Sequence, residues 1–231
     1  PVVTRLFFPK GTKVLSHGPR FFSTVFLDER GSSRTDNETV LVYVWTLRTQ
    51  STFAVWCADN YVKLLSPFDP TNSGLDQLPS GSRHHWFAYG FDYFSKPQQL
   101  FTYSFSGRAG GYYADGSRLN FTSELGYRFQ PFVSLLVNST YNYINLPEPW
   151  GQRTFWLIGP RLDVTMTNRL FFTAFVQYNE QVKNVNLNTR LQWRYQPASD
   201  LFIVYTDNYF ADSFHVKNRA LVIKWTYWWN I

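Results

Sequence analysis

Residues 185–197 read VNLNTRLQWRYQP, and the side chains alternate along nearly the whole stretch. Val185, Leu187, Thr189, Leu191, Trp193 and Tyr195 share one parity; Asn186, Asn188, Arg190, Gln192, Arg194 and Gln196 take the other. Successive side chains of a strand point to opposite faces, so this segment predicts a strand with an apolar, aromatic face and a polar, charged one. A half-buried soluble strand alternates in the same way. The question is which face meets water and what the other face meets.

Composition narrows the answer. Charged residues make up only 16% of the chain and aromatics 20%, with 9 Trp, whereas soluble domains are about a quarter charged. Mean hydropathy is nevertheless negative, −0.29. A helical membrane protein needs apolar runs of roughly 20 residues, and no run of that length here is free of polar residues. Aromatic and polar residues interleaved throughout are what a transmembrane β-barrel requires, with alternate side chains on lipid and on the lumen.

The same pattern recurs along the chain. In ALVIKWTYWWNI, Leu221, Ile223, Trp225, Tyr227, Trp229 and Ile231 oppose Lys224, Thr226, Trp228 and Asn230, which predicts an amphipathic last strand. Outer-membrane barrels usually end such a strand on an aromatic, and Ile231 departs from that. Upstream, Leu119, Phe121, Leu125, Tyr127 and Phe129 oppose Arg118, Asn120, Thr122, Glu124 and Arg128, and Phe101, Tyr103 and Phe105 oppose Thr102, Ser104, Ser106 and Arg108. Trp156, Ile158, Leu162 and Val164 oppose Arg161 and Asp163. Charge on so many polar faces excludes packing them into a dry core.

Connections are expected to alternate in length. Short turns fall at 48–52, 95–99, 129–132, 167–169 and 196–200, and longer polar loops at 28–39, 66–84, 110–117, 145–153, 179–184 and 207–218. Outer-membrane barrels pair short periplasmic turns with longer extracellular loops. The expected fold is therefore an all-β, antiparallel transmembrane barrel over residues 20–231. It has about twelve strands, each with roughly 9–11 residues in the membrane, and both chain ends lie on the short-turn side. Residues 1–19 read as an extended lead-in. No secretory leader opens the chain at Pro1, so an exported protein of this kind is expected as a processed chain or a piece of a longer one.

On the polar parity lie the lumen candidates Arg108, Arg118, Glu124, Arg128, Arg161, Asp163, Arg190, Arg194 and Lys224. They either bond to neighbouring strands and fill the bore or form a basic constriction that selects anionic solutes. Trp193, Tyr195, Trp225, Tyr227 and Trp229 form the expected lipid-facing belt at the membrane interface. The net charge of +6 is dispersed along the strands, which favours a lined lumen over nucleic-acid binding. Aromatics in strict strand alternation are a belt more simply than a base-stacking platform.

Catalytic, cofactor and metal chemistry is expected to be absent. His84 and His85 are adjacent and point to opposite faces of a strand, so they do not share an ion despite Asp69 and Asp76 nearby in sequence. Ser82 next to them is the only hint of a nucleophile–base pair, too little for an enzyme. The glycines of SGRAGGYYADGS (106–117) lack the Lys-Ser/Thr of a phosphate loop. DPTNSGLDQ (69–77) lacks the acidic twelfth position of a calcium loop. Cys57 is the only cysteine, so no intrachain disulfide forms.

The segments NLNTRLQWRYQPASDLFIVYTDNYF, NRALVIKWTYW, YVKLLSPFDP and LPSGSRHHWFAYGFDY resemble the C-terminal region of a bacterial family of unknown function. That family is frequent in Bacteroidetes and other Gram-negative bacteria, and its long members carry a family-9-like carbohydrate-binding module before an outer-membrane-type barrel. The resemblance runs from about residue 20 to 231 and implies fold and location but no reaction. No residue of the sugar-binding module lies within this sequence, so sugar binding is not carried over. Where the family commonly has Arg-Pro-Gly-Ser-Asp, this chain has Gln196-Pro197-Ala198-Ser199-Asp200, and Ala198 in place of Gly implies a turn that does not need positive φ.

The expected function is an outer-membrane barrel of accessory, scaffold or passive pore type, within a larger envelope or nutrient-uptake assembly. Its expected partners are outer-membrane lipid and other outer-membrane or periplasmic proteins, with no nucleic acid. The alternative is a barrel whose extracellular loops bind or dock a partner; an outer-membrane hydrolase ranks below both.

Overall fold

The computed structural model describes the whole chain except Thr12, Ser73, Leu75, Asn230 and Ile231. The final-strand parity assigned to Asn230 and Ile231 lies outside the described residues, as does part of the 69–77 segment. Thirteen strands form one sheet in which chain order is also spatial order. They are β1 (Val2–Thr4), β2 (Val14–Leu27), β3 (Arg34–Leu47), β4 (Thr52–Lys63), β5 (Arg83–Phe94), β6 (Phe101–Gly111), β7 (Ser117–Phe129), β8 (Val133–Asn145), β9 (Gln152–Thr165), β10 (Leu170–Asn179), β11 (Asn184–Gln196), β12 (Ser199–Phe210) and β13 (Val216–Trp225). One short 3-10 turn, Tyr113–Asp115, is the sole helical element among the described residues. None of them forms a helix long and apolar enough to cross a membrane.

The chain divides into two compact units, one of residues 1–97, 104–123 and 141–154, the other of 98–103, 124–140 and 155–231. In the first, the β3–β4–β5 ladder sets Val40 opposite Ala58, Ala58 opposite Ala88, and Val42 opposite Trp56. These residues share a face with Glu38 and Asp92, and Val40, Ala58, Ala88 and Trp86 are buried there. The opposite face carries Phe21, Leu41, Val55, Phe87, Tyr89 and Phe91, all exposed; Tyr89 is 57% accessible while its neighbour Ala88 is 0%. This is the inverse of a soluble sheet, in which the apolar parity is the covered one.

In the second unit both faces are partly open. Phe172, Leu191 and Ile203 are register partners on one face, and Thr173, Arg190 and Val204 on the other. Trp193, Leu221, Ile223 and Trp225 are exposed on the apolar face. All ten residues of β13 are exposed.

Connections alternate as expected, but strands run further than the polarity of their ends suggested. The wider connections are 28–33, 64–82, 112–116, 146–151, 180–183 and 211–215, each shorter than the loop read from sequence except 64–82, which has the same length and starts two residues earlier. Arg34–Asn37 and Lys217–Arg219 were assigned to loops for their charge, yet they continue the ladder past the apolar stretch of their strands. Backbone pairing does not require an apolar side chain, so hydrophilic strand ends are invisible to a hydropathy pattern.

Three details correct the sequence reading. The lead-in of residues 1–19 supplies β1 and the start of β2, so the strand count is thirteen rather than about twelve. Pro1 lies beside the middle of β2 rather than at the short-turn end, its carbonyl accepting from the Ser23 N–H at 3.1 Å. Ala198 does adopt positive φ, +57°. Between Gln196 and Ser199, which pair directly, Pro197 fixes the first corner and the second must be left-handed. An alanine there costs roughly 1 kcal/mol or more relative to an unstrained residue. Ala198→Gly is therefore expected to stabilise the protein by about 0.5–1 kcal/mol in urea unfolding, net of the extra chain entropy of glycine.

Candidate functional site

The densest polar site lies in the first unit, where the polar face approaches the 112–116 turn. That turn is closed by the Tyr112 N–H donating to the Gly116 carbonyl at 2.8 Å, which returns the chain from β6 into its sheet neighbour β7. Arg108 faces Gly90 of β5. Arg118 donates from Nη2 to the Asn142 carboxamide oxygen at 2.8 Å, and Asn120 donates to the same oxygen at 2.8 Å. Asn142 is buried, so this shared acceptor holds Arg118 against β8. The Arg118 guanidinium also lies 5.3 Å from the Tyr112 ring centroid, within cation–π range.

Arg108 is less well provided for. Arg118, Tyr112, Glu38 and Tyr113 make up its electrostatic surroundings, but none of the five ion pairs among the described residues includes Arg108, Arg118 or Glu38. The Nε atoms of Arg108 and Arg118 are buried without a hydrogen-bond partner, as is the Trp86 indole nitrogen. Trp86 meets Tyr113 at a tilt of 47° with ring centroids 4.8 Å apart, and Tyr113 meets Tyr112 edge-on at 4.8 Å. Burial pushes the Tyr113 hydroxyl up to about 12, with the neighbouring Tyr112 and Asp36 adding to the effect. That hydroxyl is therefore a proton donor throughout the physiological range.

Small residues make this crowding possible. A Cβ on Gly90 would sit 2.2 Å from the Gly107 carbonyl oxygen and 2.4 Å from the Trp56 ring, and one on Gly111 would meet Trp86 Cβ at 2.7 Å. Trp56 therefore lies across Gly90 in the same cross-strand row as Arg108. Beside it, Glu38, Val40, Ala58 and Asp92 line a recess of about 310 Å³. Asp92 is held there by the Ser106 hydroxyl, which donates to it at 2.7 Å.

The 64–82 connection folds onto this region. Phe68 and Leu78 exchange backbone hydrogen bonds of 3.0 and 2.7 Å, Leu78 is buried, and the Phe68 ring packs on Tyr113 at 5.3 Å. His84 Nδ1 accepts the Ala114 N–H at 3.1 Å, and His84 Nε2 lies 2.9 Å from Ser82 Oγ. The first contact fixes the neutral tautomer with its proton on Nε2, so His84 donates to Ser82. Ser82 in turn donates to the Pro79 carbonyl at 2.7 Å. The sequence neighbours do meet, but with the polarity of a loop clasp: a catalytic base would have to accept the serine proton. His85 faces the other way, 2.7 Å from Asp59 Oδ1. Among the described residues no group of His, Cys, Asp or Glu side chains is placed to hold a metal ion. In the 28–33 connection, Asp28 accepts from Ser32 and Ser33, and these bonds hold its carboxyl down at about 2.

Other lumen candidates belong to the second unit. Asp163 binds Arg161 through two contacts of 2.9 and 3.1 Å and accepts the Thr173 hydroxyl at 2.8 Å. Arg161 and Arg190 share a recess of about 370 Å³ with Asn138, Asn188 and Thr173. Arg194 lies 3.5 Å from Asp200. Lys224 pairs with Phe202 on the exposed last strand. Glu124 is exposed, and Arg128 contributes its backbone N–H to the Leu100 carbonyl at 2.9 Å. Among the described residues, Arg108 and Arg118 are the arginines whose Nε is buried without a hydrogen-bond partner.

The belt residues also cluster. The Trp225 indole donates to the Tyr195 hydroxyl at 2.6 Å, and that hydroxyl donates to the Thr226 carbonyl at 2.8 Å. Trp193 meets Tyr195 edge-on at 5.9 Å, and Tyr227 meets Trp229 at 6.3 Å.

One charged cluster escaped the sequence reading because it involves Asp207, at the start of the stretch 207–218 that read as a polar loop. Asp207 pairs with Leu187 and Arg219 in register. Its Oδ2 accepts from Tyr205, Tyr209 and both Nε and Nη2 of Arg219 at 2.6–2.8 Å. Tyrosines two residues to either side of an aspartate, on one strand face, are the signal that identifies such a cluster.

No protein-family model, curated protein or solved structure matches the chain.

Proposed function

We propose that this chain is an outer-membrane β-barrel of the Gram-negative type, acting as a passive pore or as a scaffold within a larger envelope or nutrient-uptake assembly. The observation that carries this reading is the sidedness of the first unit's ladder, where the strongly apolar parity is the exposed one and Glu38 and Asp92 share the covered face; in the second unit Trp193, Leu221, Ile223 and Trp225 are likewise exposed. An exposed apolar face this extensive requires a nonaqueous neighbour, and strands cross lipid only when their backbone groups are paired. Polar strand ends beyond the apolar stretch, among them the Asp207–Arg219 cluster, then stand at the headgroup level. The aromatic belt near Pro197 occupies the opposite, periplasmic interface, where amphipathic rings settle.

Reconstitution into planar bilayers tests the pore version. Discrete single-channel steps are expected from purified, heat-modifiable protein, with anions carrying the larger share of current because arginine outnumbers acid on the polar face. Protein that inserts yet gives no steps would refute the pore.

A further inference from the structure

We propose that Arg108 and Arg118, with the aromatic wall beside them, form a binding site for an oxyanion, the carboxylate or phosphate group of a small solute. The proposal rests on the geometry of the polar face of the first unit and not on its placement in a membrane.

Its basis is a mismatch in how the protein provides for its cations. Arg161 and Arg194, exposed and free to be hydrated, nevertheless have carboxylates within 2.9 and 3.5 Å. Arg108 and Arg118 are half-buried, so they have lost part of their hydration, and no carboxylate closes to ion-pair distance on either. Each also keeps a buried Nε–H without an acceptor. Unpaired desolvated cations are costly, and two such guanidiniums side by side raise that cost further. Protein groups nearby do not offset it. Tyr112 and Tyr113 present rings, Trp86 presents another unpaired N–H donor, and the Asn142 oxygen is already occupied by Arg118 and Asn120. Glu38 is the single carboxylate in the electrostatic surroundings of Arg108, and it does not reach ion-pair distance.

An oxyanion supplies what is missing. Guanidinium recognises carboxylate and phosphate through two parallel N–H···O bonds, and side-on recognition takes Nε–H together with one Nη–H. Arg108 has its whole fork available, while Arg118 is anchored by Asn142 and offers its remaining donors. The Tyr113 hydroxyl, held protonated by burial, adds a further donor for an anion. The aromatic wall keeps bulk water from competing at one side of the site, which strengthens charge-assisted bonds. Glu38 sits within electrostatic range of Arg108 and sets a limit on charge: a ligand is anionic at the arginines and neutral or cationic at its other end.

Titration of detergent-solubilised protein with inorganic phosphate, and separately with acetate, against chloride at matched ionic strength tests the site, with tryptophan fluorescence as the readout. Saturable change with at least one oxyanion and none with chloride is the expected result. Arg108→Gln should weaken that affinity at least tenfold, and Arg108→Lys, which keeps the charge and the fold but loses the fork, should weaken it severalfold. Arg190→Gln, on the same face but outside the site, should leave it unchanged. A wild-type response no different from chloride, or Arg108→Lys and Arg190→Gln responding alike, would overturn the proposal. Because binding is read without a bilayer, failure here leaves the pore reading standing, and failure of the conductance experiment leaves this site standing.

Discussion

Leu191→Arg is expected to destabilise the membrane-inserted protein by about 2–4 kcal/mol, the cost of an arginine near the bilayer midplane on the lipid side of a barrel strand. Leu191 lies between Phe172 of β10 and Ile203 of β12, an apolar row with no partner for a guanidinium. Its chain neighbour Arg190 supplies the control. Arg190 faces the recess shared with Arg161, Asn138 and Asn188, and it is exposed. Arg190→Glu should therefore fold normally and change stability by less than about 0.5 kcal/mol, as surface substitutions do. The two adjacent positions should differ by about tenfold to a thousandfold in folding equilibrium, measured by urea titration in lipid vesicles. Equal effects would remove the lipid assignment of this face.

Gly90→Ala is the second large effect, expected to cost about 3 kcal/mol, at the upper end of overpacking penalties. The added carbon would lie 2.2 Å from the Gly107 carbonyl oxygen, a backbone atom that cannot swing aside, and 2.4 Å from the Trp56 ring. Gly74→Ala is an informative comparison because no atom lies within 4 Å of its added carbon, although its φ of +73° carries its own strain. If the cost at position 90 came only from lost glycine flexibility, the substitution would stabilise rather than destabilise. Thermal or urea unfolding of Gly90→Ala no different from wild type would mean that β5 and β6 are not so closely apposed.

Parity made most of the fold legible in the sequence. In 185–194 each residue stands on the face its alternation assigned, because a strand has only two faces and a one-residue slip would exchange them all; a register shift follows between Arg194 and Gln196. Turn positions were legible for a similar reason: Pro, Asn and Ser mark places where a ladder cannot continue. Strand ends were not, since Arg34, Asp36 and Arg219 look like loop residues to any pattern that equates pairing with hydrophobicity. The conformation of Ala198 was hidden as well, because the neighbouring Pro197 and the direct Gln196–Ser199 pairing force a left-handed corner whatever residue occupies it.

Within the candidate site, the sequence supplied Arg108 and Arg118 as two members of a dispersed polar parity. Their convergence depends on the 112–116 turn, and on Gly90, Gly110 and Gly111 letting strands and rings approach, which is a matter of three-dimensional contact. Asp207 went unseen because 207–218 read as a polar loop, whereas its Oδ2 takes hydrogen bonds from two tyrosine hydroxyls and Arg219 within the ladder.

Cysteine scanning of β11 in lipid vesicles tests the sidedness most directly. With Cys57→Ala as background, single cysteines at positions 186–193 would be exposed to a charged, membrane-impermeant thiol reagent present on both sides of the bilayer. Labelling is predicted at 186, 188, 190 and 192, with protection at 187, 189, 191 and 193. Uniform labelling, or protection on the even positions, would contradict a lipid-facing apolar parity.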